Sequence, residues 1–364
     1  MKKIKVNLDR KKTLTYEICI GRDILDRVGP IMTKNNWASR YIIITDSNVA
    51  DLYGGRVLSS LREIGIGAEM ISFAAGETSK NFENMLNIVE GLIAMGADRK
   101  CGLIALGGGV VGDIAGFIAS IFMRSVPYVQ IPTTLLAMVD SSIGGKTGID
   151  LRAGKNILGS FYQPKGVFID LDFINTLPAR EFNNGMAEVI KYGIIDDEEL
   201  FRQLEEEISA LQDREPGFLE RIISISCRIK KGIIEIDETE KGLRRILNFG
   251  HTIGHAVEAE SGFAIAHGEA VSIGMAVSAR ISEKMKYLSP EDRARIESLI
   301  ASAGLPCRIP DSITTEGILS RIRVDKKKEG DNLHFVLIKK IGMPFINGSV
   351  SEPALRDVIE ELRK

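Results

Sequence analysis

The sequence predicts an α/β protein, with a Rossmann-like, mainly parallel sheet domain in residues 1–175 and a mostly helical domain in residues 176–364. In the first half, short apolar runs alternate with amphipathic stretches, which is typical of a parallel sheet with helices on both faces. From about residue 172 the apolar spacing becomes helical. With 364 residues, 44% of them hydrophobic, the chain is long enough to form two cores.

The elements of the first half follow in chain order. Residues 3–8 and 15–20 alternate apolar and polar side chains around a polar turn, which predicts an edge hairpin. Strands are predicted at 41–45, 68–73, 102–106 and 128–131, and helices near 48–62, 79–95 and 109–123. Ligands of open α/β sheets bind beyond the carboxyl ends of the strands, so the residues there are the first candidates for a site.

The second half is predicted to be mostly helical. A proline-containing segment at 176–180 marks the junction, and helical apolar spacing follows from 185 to 229 and again over 269–286. Ser289 and Pro290 open a further helix, because serine is a good N-cap and proline suits the first turn. A short strand at 333–338 and a terminal helix at 353–363 complete the prediction.

The composition argues against several kinds of partner. The formal net charge is −2, so no overall basic field attracts nucleic acid. Cys19, Cys101, Cys227 and Cys307 are scattered without a C-x-x-C pair, which is typical of a reduced cytoplasmic protein. No segment has the apolar run of a signal peptide or the length to span a membrane. We therefore expect a soluble, cytoplasmic enzyme.

Three of the four histidines, His251, His255 and His267, lie in one short segment. The first two are four residues apart and share a helix face, and the third follows a glycine-containing loop, as an open three-ligand metal site requires. A hydrogen-bonded core pair explains the spacing equally well. Thr252 stands where H-E-x-x-H has its glutamate, so a carboxylate ligand must come from elsewhere. Glu188, in an apolar helical segment, is the candidate.

A glycine run follows the strand predicted at 102–106. Gly107, Gly109 and Gly112 form G-x-G-x-x-G at the start of a helix, where the backbone can approach a pyrophosphate. Asp46 ends an earlier strand and is placed to accept a ribose hydroxyl, although a helix N-cap explains it equally well. Because the glycines lie on a late strand and the aspartate precedes them, we expect a nucleotide site without the standard Rossmann strand order.

A second polar segment runs from 132 to 156. Gly144 and Gly145 precede Lys146, and Lys155 follows Gly154, so the backbone can bend close to an anion that the lysines neutralise. A solvated turn is the alternative. Upstream of the histidines, the segment 244–248 contributes two arginines and an asparagine that also suit an anionic ligand.

In combination, these motifs resemble the 3-dehydroquinate synthase family. The resemblance runs from about residue 41 to 330 and is carried, in chain order, by Gly76-Glu-x-x-Lys80, Leu106-Gly-Gly-Gly-Val-Val-Gly-Asp113, Pro132-Thr-Thr-Leu-Leu-Ala, Val139-Asp-Ser-Ser-Ile-Gly-Gly-Lys-Thr, Gly154-Lys-Asn156, Ala187-Glu-Val-Ile-Lys-Tyr-Gly193, Leu247-Asn-Phe-Gly-His-Thr-Ile-Gly-His255 and His267-Gly-Glu-Ala-Val.

The resemblance implies an NAD-binding α/β domain, a mostly helical metal- and substrate-binding domain, and a site in the cleft between them. It implies conversion of 3-deoxy-D-arabino-heptulosonate 7-phosphate to 3-dehydroquinate and phosphate in the shikimate pathway. NAD+ would be reduced and re-oxidised within each turnover, and one divalent metal, usually Zn2+ with Co2+ as the alternative, would assist. The fold would be shared with glycerol and iron-dependent alcohol dehydrogenases.

By position in the matching motifs, the resemblance implies three sets of site residues. The metal ligands are Glu188, His251 and His267. The nucleotide contacts are Asp46, Asn48, Glu77, Lys80, Gly109, Val110, Val111, Gly112, Asp113, Thr133, Thr134, Lys146, Lys155, Phe173 and Thr176. The substrate and catalytic residues are Asp140, Lys146, Asn156, Lys191, Lys230, Arg244, Asn248, His255 as proton relay, and one of Lys326 and Lys327.

Arg124 resembles an arginine that reaches the phosphate bound by the neighbouring subunit, which implies a homodimer with shared sites. Three positions depart from the family pattern. Met138 stands where glutamine is frequent, Ser125 where glycine often follows the arginine, and Asp150 where asparagine is common. None of the three is an implied ligand.

Other functions stay open at this point. A related sugar-phosphate cyclase, making 2-deoxy-scyllo-inosose or a valiolone-type product, would share the nucleotide and metal motifs and differ at substrate-facing positions. A metal-dependent polyol dehydrogenase would release reduced cofactor. A non-enzymatic paralogue would be expected to have lost its charged site residues, and they are all present.

Overall fold

A six-stranded parallel sheet is the centre of the computed structural model, which describes residues 15–152, 154–240, 242–328 and 334–363, without the side chains of 325–328. The strands are β1 (Glu17–Gly21), β2 (Arg40–Asp46), β3 (Ala68–Phe73), β4 (Cys101–Gly107), β5 (Tyr128–Pro132), β6 (Lys146–Leu151), β7 (Gly154–Phe161), β8 (Gly166–Asp170), β9 (Phe335–Lys340) and β10 (Met343–Asn347).

The strand order in the sheet is β1-β8-β5-β4-β2-β3, and every pairing is parallel. The parallel sheet is confirmed, and its order is not the standard Rossmann order. β6 with β7 and β9 with β10 form separate antiparallel hairpins. The first arm of the predicted edge hairpin, residues 3–8, lies outside the described residues. β1, which covers most of the second arm, is an edge strand paired in parallel with β8.

Helices surround the sheet and form most of the second half of the chain. They are α1 (Leu25–Asn35), α2 (Ser47–Val49), α3 (Gly55–Glu63), α4 (Phe82–Ala94), α5 (Gly109–Ile121), α6 (Ala179–Ile195), α7 (Glu198–Glu206), α8 (Ile208–Gln212), α9 (Pro216–Ile236), α10 (His251–Glu260), α11 (His267–Lys284), α12 (Pro290–Ser302), α13 (Thr315–Lys328) and α14 (Glu352–Arg363). Tighter or wider turns occupy Ala50–Gly54, Glu77–Ser79, Phe122–Arg124, Ala137–Ser141, Leu171–Thr176 and Leu243–Asn248.

One apolar core fixes the helical layer against the sheet. It contains Ile43 of β2 and Ile104 of β4 together with Ile190 of α6 and Ile222 of α9, all fully buried. The sheet interior is apolar throughout β4, whose seven residues are all buried. Because α6 shares this core, its position relative to the carboxyl ends of the strands is set by close packing.

α11 is the buried helix that the apolar spacing at 269–286 predicts, and thirteen of its residues are buried. Among the described residues, no helix combines the length and apolar character needed to cross a bilayer. Ser289 caps α12 as predicted, because its side chain accepts a hydrogen bond from the Asp292 backbone N–H at 3.0 Å.

Candidate active site

The three predicted metal ligands come from three different helices and meet at one point. Glu188 lies in α6, His251 begins α10 and His267 begins α11. The Nε2 atoms of both histidines lie 3.7 Å from Oε1 of Glu188, and one ligand atom from each residue lies within 4.8 Å of the other two. The structure therefore brings the predicted trio together.

Glycines make this meeting possible. A Cβ on Gly274 of α11 would overlap the carbonyl oxygen of Gly250, which precedes α10. A Cβ on Gly268 would overlap the carbonyl oxygen of Asn184 in α6. Only glycine permits such close approach of backbones, so α11 packs directly against α6 and the start of α10. The first turn of α11 is thereby held over Glu188.

The Glu188 carboxylate has the features of a metal ligand. Its side chain is fully buried, and neither oxygen has a hydrogen bond among the described residues. Its Oε2 forms an ion pair with the buried Lys191 ammonium, while Oε1 faces the two imidazoles. A buried carboxylate beside two imidazole nitrogens is the donor set of a catalytic zinc site. The residues present therefore fit a divalent metal.

The pKa values of Glu188 and His251 favour the protonation states that a metal requires. Burial by itself raises the pKa of Glu188, but the Lys191 ammonium outweighs it and holds the pKa at about 2. Burial and the same ammonium keep the pKa of His251 well below its usual value. His251 Nδ1 lies 3.2 Å from the carbonyl oxygen of Phe249, so an Nδ1–H donated there leaves Nε2 as the ligand atom.

His267 lies between two carboxylates, and one of them is absent from the sequence prediction. Its Nδ1 is 3.4 Å from Oε2 of Glu258 in α10. Burial lowers the pKa of His267, but the neighbouring carboxylates of Glu188 and Glu258 outweigh burial and raise it to about 10. The missed signal is helical spacing, because residues 251, 255 and 258 lie on one face of α10. His255 on that face is exposed, with its ring 5.3 Å from that of His251.

A cavity of about 520 Å³ gathers five of the predicted substrate residues. Asp140, Lys146, Asn156, Lys230 and Arg244 line it. Three of these five side chains are cationic, so the cavity suits an anionic molecule of sugar-phosphate size.

Asp140 orients Lys230, one of these cations. It also bonds to Tyr192, a contact that the sequence analysis did not predict. Its Oδ1 accepts hydrogen bonds from Lys230 Nζ at 2.7 Å and from the hydroxyl of the buried Tyr192 at 2.6 Å. Burial raises the pKa of Asp140, but the ammonium groups of Lys230 and Lys191 outweigh it and keep the pKa well below its usual value. Asp140 is therefore ionised at neutral pH and holds Lys230 in place.

A second carboxylate that the sequence prediction missed pairs with a lysine of the cavity lining. Glu240 forms an ion pair with Lys146 and accepts a hydrogen bond from Asn248 Nδ2 at 2.7 Å. Arg244 is 2% exposed, and its Nε has no hydrogen bond partner among the described residues. A buried guanidinium N–H without an acceptor marks the place where an anionic group would bind.

The predicted nucleotide contacts lie at the carboxyl ends of neighbouring strands. The glycine turn joins β4 to α5, and the Thr133 backbone N–H after β5 donates to the carbonyl oxygen of Gly107 at 3.0 Å. The Thr133 hydroxyl is buried without a hydrogen bond among the described residues. A Cβ on Gly112 would lie 2.6 Å from Gln130 Oε1, so glycine allows α5 to pack on β5.

Asp46 is an N-cap in this structure. Its Oδ1 accepts hydrogen bonds from the backbone N–H groups of Asn48 and Val49 at 3.0 and 3.1 Å. The alternative explanation of Asp46, a helix N-cap, is therefore confirmed. A contact of Asp46 with a ribose stays a prediction. Thr134 also bonds locally, accepting a hydrogen bond from the Ala137 backbone N–H at 3.2 Å.

Lys80 connects residues that were predicted to contact different ligands. Its buried ammonium lies 2.6 Å from Asp113 Oδ2 and 2.6 Å from Asn156 Oδ1. Asp150, one of the positions that depart from the family pattern, accepts the Asn156 backbone N–H at 2.8 Å. Nearby, Lys155 Nζ lies 3.2 Å from Glu77 Oε1. Lys80, Asp113, Asn156 and Asp150 thus form one polar network, which joins predicted nucleotide contacts to a predicted substrate contact.

Some predicted residues lie apart from this network. Phe173 is 2% exposed and packs edge-on against Tyr53 at 4.6 Å between ring centroids, and the Tyr53 hydroxyl bonds to that of Thr176. Arg124 lies on an exposed turn after α5. The backbone of Lys326 and Lys327 belongs to α13, but their side chains lie outside the described part of the chain. The roles of these residues stay predictions.

Comparison with known proteins identifies the family. Two family models match the chain: 3-dehydroquinate synthase N-terminal over residues 70–184, and 3-dehydroquinate synthase C-terminal over residues 185–328. The 3-dehydroquinate synthase of Acidithiobacillus ferrooxidans is 44% identical over 350 residues, which are 95% of either chain. That of Dehalococcoides mccartyi is 41% identical and covers 100% of both chains.

Solved structures of cyclases are also similar. The 2-epi-5-epi-valiolone synthase of Streptomyces hygroscopicus subsp. jinggangensis, with NAD+ and Zn2+ bound, is 29% identical with a TM-score of 0.90, covering 98% of this chain and 99% of its own. A 2-deoxy-scyllo-inosose synthase complexed with carbaglucose-6-phosphate, NAD+ and Co2+ is 28% identical with a TM-score of 0.84 over 94% and 96%. An iron-containing alcohol dehydrogenase, 16% identical with a TM-score of 0.67 over 95% and 97%, shares the fold. Because full-length relatives are 41% and 44% identical and both family models match, the protein belongs to the 3-dehydroquinate synthase family.

Proposed function

We propose that the protein is a cytoplasmic enzyme of aromatic amino acid biosynthesis that converts 3-deoxy-D-arabino-heptulosonate 7-phosphate to 3-dehydroquinate and phosphate. In this proposal residues 1–175 bind NAD+, and residues 176–364 hold the metal and bind the substrate together with Lys146 and Asn156 of the first segment. The observation that carries it is the cavity in which Lys146, Lys230 and Arg244 converge. Lys191 connects this cavity to the buried carboxylate and imidazole trio, because its ammonium acts on both Asp140 and Glu188.

Glu188, His251 and His267 would hold one divalent metal, Zn2+ or Co2+, because their ligand atoms lie within 4.8 Å of one another. The glycine turn before α5, with Asp46, Glu77 and Lys80 around it, would hold the nucleotide. When bound, NAD+ accepts and returns a hydride at the substrate while the metal polarises the substrate hydroxyl.

The cationic side chains of the cavity would fix the two anionic ends of the substrate. Arg244 has an unused N–H and can bind a carboxylate or phosphate through its planar donors. Glu240 neutralises Lys146 and holds Asn248 until an anion takes its place. Lys230 is already oriented by Asp140, so little rotamer entropy would be lost on binding. His255, an exposed residue beside His251 on α10, would move a proton between substrate and solvent.

We also propose a homodimer in which Arg124 reaches the neighbouring site. Met123, Arg124 and Ser125 have consecutive φ values of 50°, 67° and 95°, a left-handed conformation that is costly for residues other than glycine. Strain of this kind is retained where the turn has a task. Exposed apolar side chains lie nearby on α5 and β7, namely Ile121, Ile157, Leu158 and Phe161. The two elements are joined by a hydrogen bond from Ser160 Oγ to Ser120 Oγ. Those side chains would be covered by the partner subunit.

The test is phosphate release from the heptulosonate phosphate, measured with NAD+ and Zn2+ present. We expect release without net formation of NADH. Arg244→Gln should abolish release at a given substrate concentration, whereas Arg245→Gln, its sequence neighbour outside the cavity lining, should retain it. No release from the intact enzyme would end the proposal. Release only from heptose phosphates without a carboxylate would favour another cyclase, and net NADH a polyol dehydrogenase.

A further inference from the structure

Glu258 is a buried carboxylate that the proposed mechanism does not use. It lies in the last turn of α10 and is 4% exposed. Its two oxygens face different partners: Oε2 is 3.4 Å from His267 Nδ1, and Oε1 is 3.3 Å from Lys155 Nζ. Lys155 belongs to β7 and also contacts Glu77, at 3.2 Å. Glu258 therefore connects a predicted metal ligand with the predicted nucleotide contacts.

The two ring nitrogens of His267 face different carboxylates. Nε2 faces Glu188 Oε1 at 3.7 Å, and Nδ1 faces Glu258. A neutral imidazole carries its proton on one nitrogen only, and a hydrogen bond from that nitrogen decides which one remains free for a metal. A carboxylate on the Nδ1 side selects the form that has its free lone pair on Nε2.

We propose that Glu258 is a positioning residue, whose carboxylate accepts the Nδ1–H of His267 and so holds the imidazole with Nε2 directed to the metal. The inference rests on the metal site of the proposed function. Lys155 completes the arrangement, because its ammonium balances the charge of Glu258 from the side opposite to His267. The orientation of this ligand is thereby tied to β7 and to the Glu77 turn.

A second cation site is the competing explanation. His255, Glu258 and His267 also place ligand atoms within 4.8 Å of one another. However, Lys155 Nζ already lies beside the Glu258 carboxylate, and an ammonium at 3.3 Å repels a further dication there. These contacts favour positioning.

The test measures metal binding without substrate. Glu258→Gln removes the charge and keeps the shape, and Glu258→Asp keeps the charge but withdraws the oxygens by about 1.5 Å, one carbon–carbon bond. Lys155→Met removes only the outer partner. Glu260→Gln is the matched control on the same helix, since Glu260 pairs with Arg321 at the surface. Zn2+ affinity is measured by competition with a chromophoric chelator, and ligand geometry by the visible absorption of the Co2+ form.

We expect Glu258→Gln to lower Zn2+ affinity by about 10–100-fold, the usual effect of losing an outer partner of a histidine ligand, and to change the Co2+ spectrum. Glu258→Asp should show a smaller loss of Zn2+ affinity. This variant tests the proposal even if Glu258→Gln does not fold. Lys155→Met and Glu260→Gln should keep the affinity within about threefold, well below that effect.

Wild-type affinity and an unchanged Co2+ spectrum in both Glu258 variants would overturn the inference. So would a loss in Lys155→Met equal to that in Glu258→Gln, because the ion pair alone would then explain it. Two Co2+ ions per chain in the wild type would support the second cation site instead. Failure of the proposed function would be seen separately. In that case the enzyme would release no phosphate, while the Zn2+ affinities of the variants would still differ from the wild type as expected here.

Discussion

Replacing Glu188 by glutamine tests the metal site and the buried charge pair together. Glu188 is 0% exposed and the Lys191 side chain 2%, so the variant leaves a buried ammonium without its carboxylate. Breaking a buried pair costs about 3–5 kcal/mol. The Lys191 ammonium also lowers the pKa of Asp140, so the Asp140 carboxylate still compensates part of the Lys191 charge in the variant. This favours the lower end of that range of free energies. At about 2–4 °C per kcal/mol, a cost of about 3 kcal/mol should lower the melting temperature of the metal-free protein by roughly 6–12 °C.

The same variant should lose its metal. We expect Zn2+ to raise the melting temperature of the wild type, because a ligand that binds only the folded state stabilises it, and to have no effect on Glu188→Gln. The double variant Glu188→Gln/Lys191→Met should regain most of the thermal stability, since well-packed apolar groups replace buried pairs at little cost. It should not regain the metal.

Elemental analysis and thermal denaturation, each with and without Zn2+, give the two measurements. The matched control is Glu199→Gln, which changes an exposed glutamate paired with Arg202 and should alter neither. A Glu188→Gln protein that retains one Zn2+ per chain with wild-type affinity would refute the ligand assignment. A double variant that rebinds Zn2+ would show that only the uncompensated Lys191 charge had prevented binding.

Four further predictions test other parts of the site. Asp46→Ser keeps an N-cap but removes the carboxylate. Calorimetry should show NAD+ affinity falling by about 10-fold or more while the melting temperature stays constant. Unchanged affinity would mean that Asp46 acts only as a helix cap. Asp140→Asn should lower the stability of the metal-free protein by about 2 kcal/mol at pH 7. Because the folded pKa of Asp140 is depressed, its contribution to stability is present above the unfolded pKa and is lost as pH falls. The difference in melting temperature between the variant and the wild type should therefore shrink below about pH 5. A pH-independent difference would contradict this. Gly268→Ala should cost about 1–3 kcal/mol and weaken Zn2+ binding, because its Cβ would push α11 away from α6; wild-type affinity would refute the packing argument. Mixing inactive Arg124→Ala and Lys146→Ala dimers should restore up to about a quarter of the activity if the arginine acts across a two-fold interface, and no recovery after confirmed subunit exchange would place Arg124 in its own site.

The parts of the fold that depend on local chain properties are predictable from the sequence. β2, β3, β4 and β5 appear where short apolar runs predict them, because strand burial leaves a direct pattern in neighbouring residues. Ser289 and Pro290 mark the start of α12 for the same reason, since capping involves atoms only a few residues apart. The strand order has no such local signal and is known only from the packed sheet.

The site shows the same division. The clustering of His251, His255 and His267 is visible in the sequence because all three lie close along the chain. Glu258 and Glu240 were missed, although both touch predicted site residues. A glutamate at a helix end or in a polar turn looks like an ordinary solvated residue in a sequence. Its burial and its partner are properties of the folded chain.

By itself the sequence determined the strands β2 to β5, the chemical inventory of the site and the family resemblance, since these depend on residue type and on spacing along the chain. Only the tertiary structure decided that Glu188 of α6 faces His251 and His267, and that Lys80 joins Asp113 to Asn156. These residues are distant in sequence. The metal trio meets through backbone contacts at Gly268 and Gly274 and through a shared apolar core. Such contacts arise from the packing of many residues at once, which no single stretch of sequence specifies.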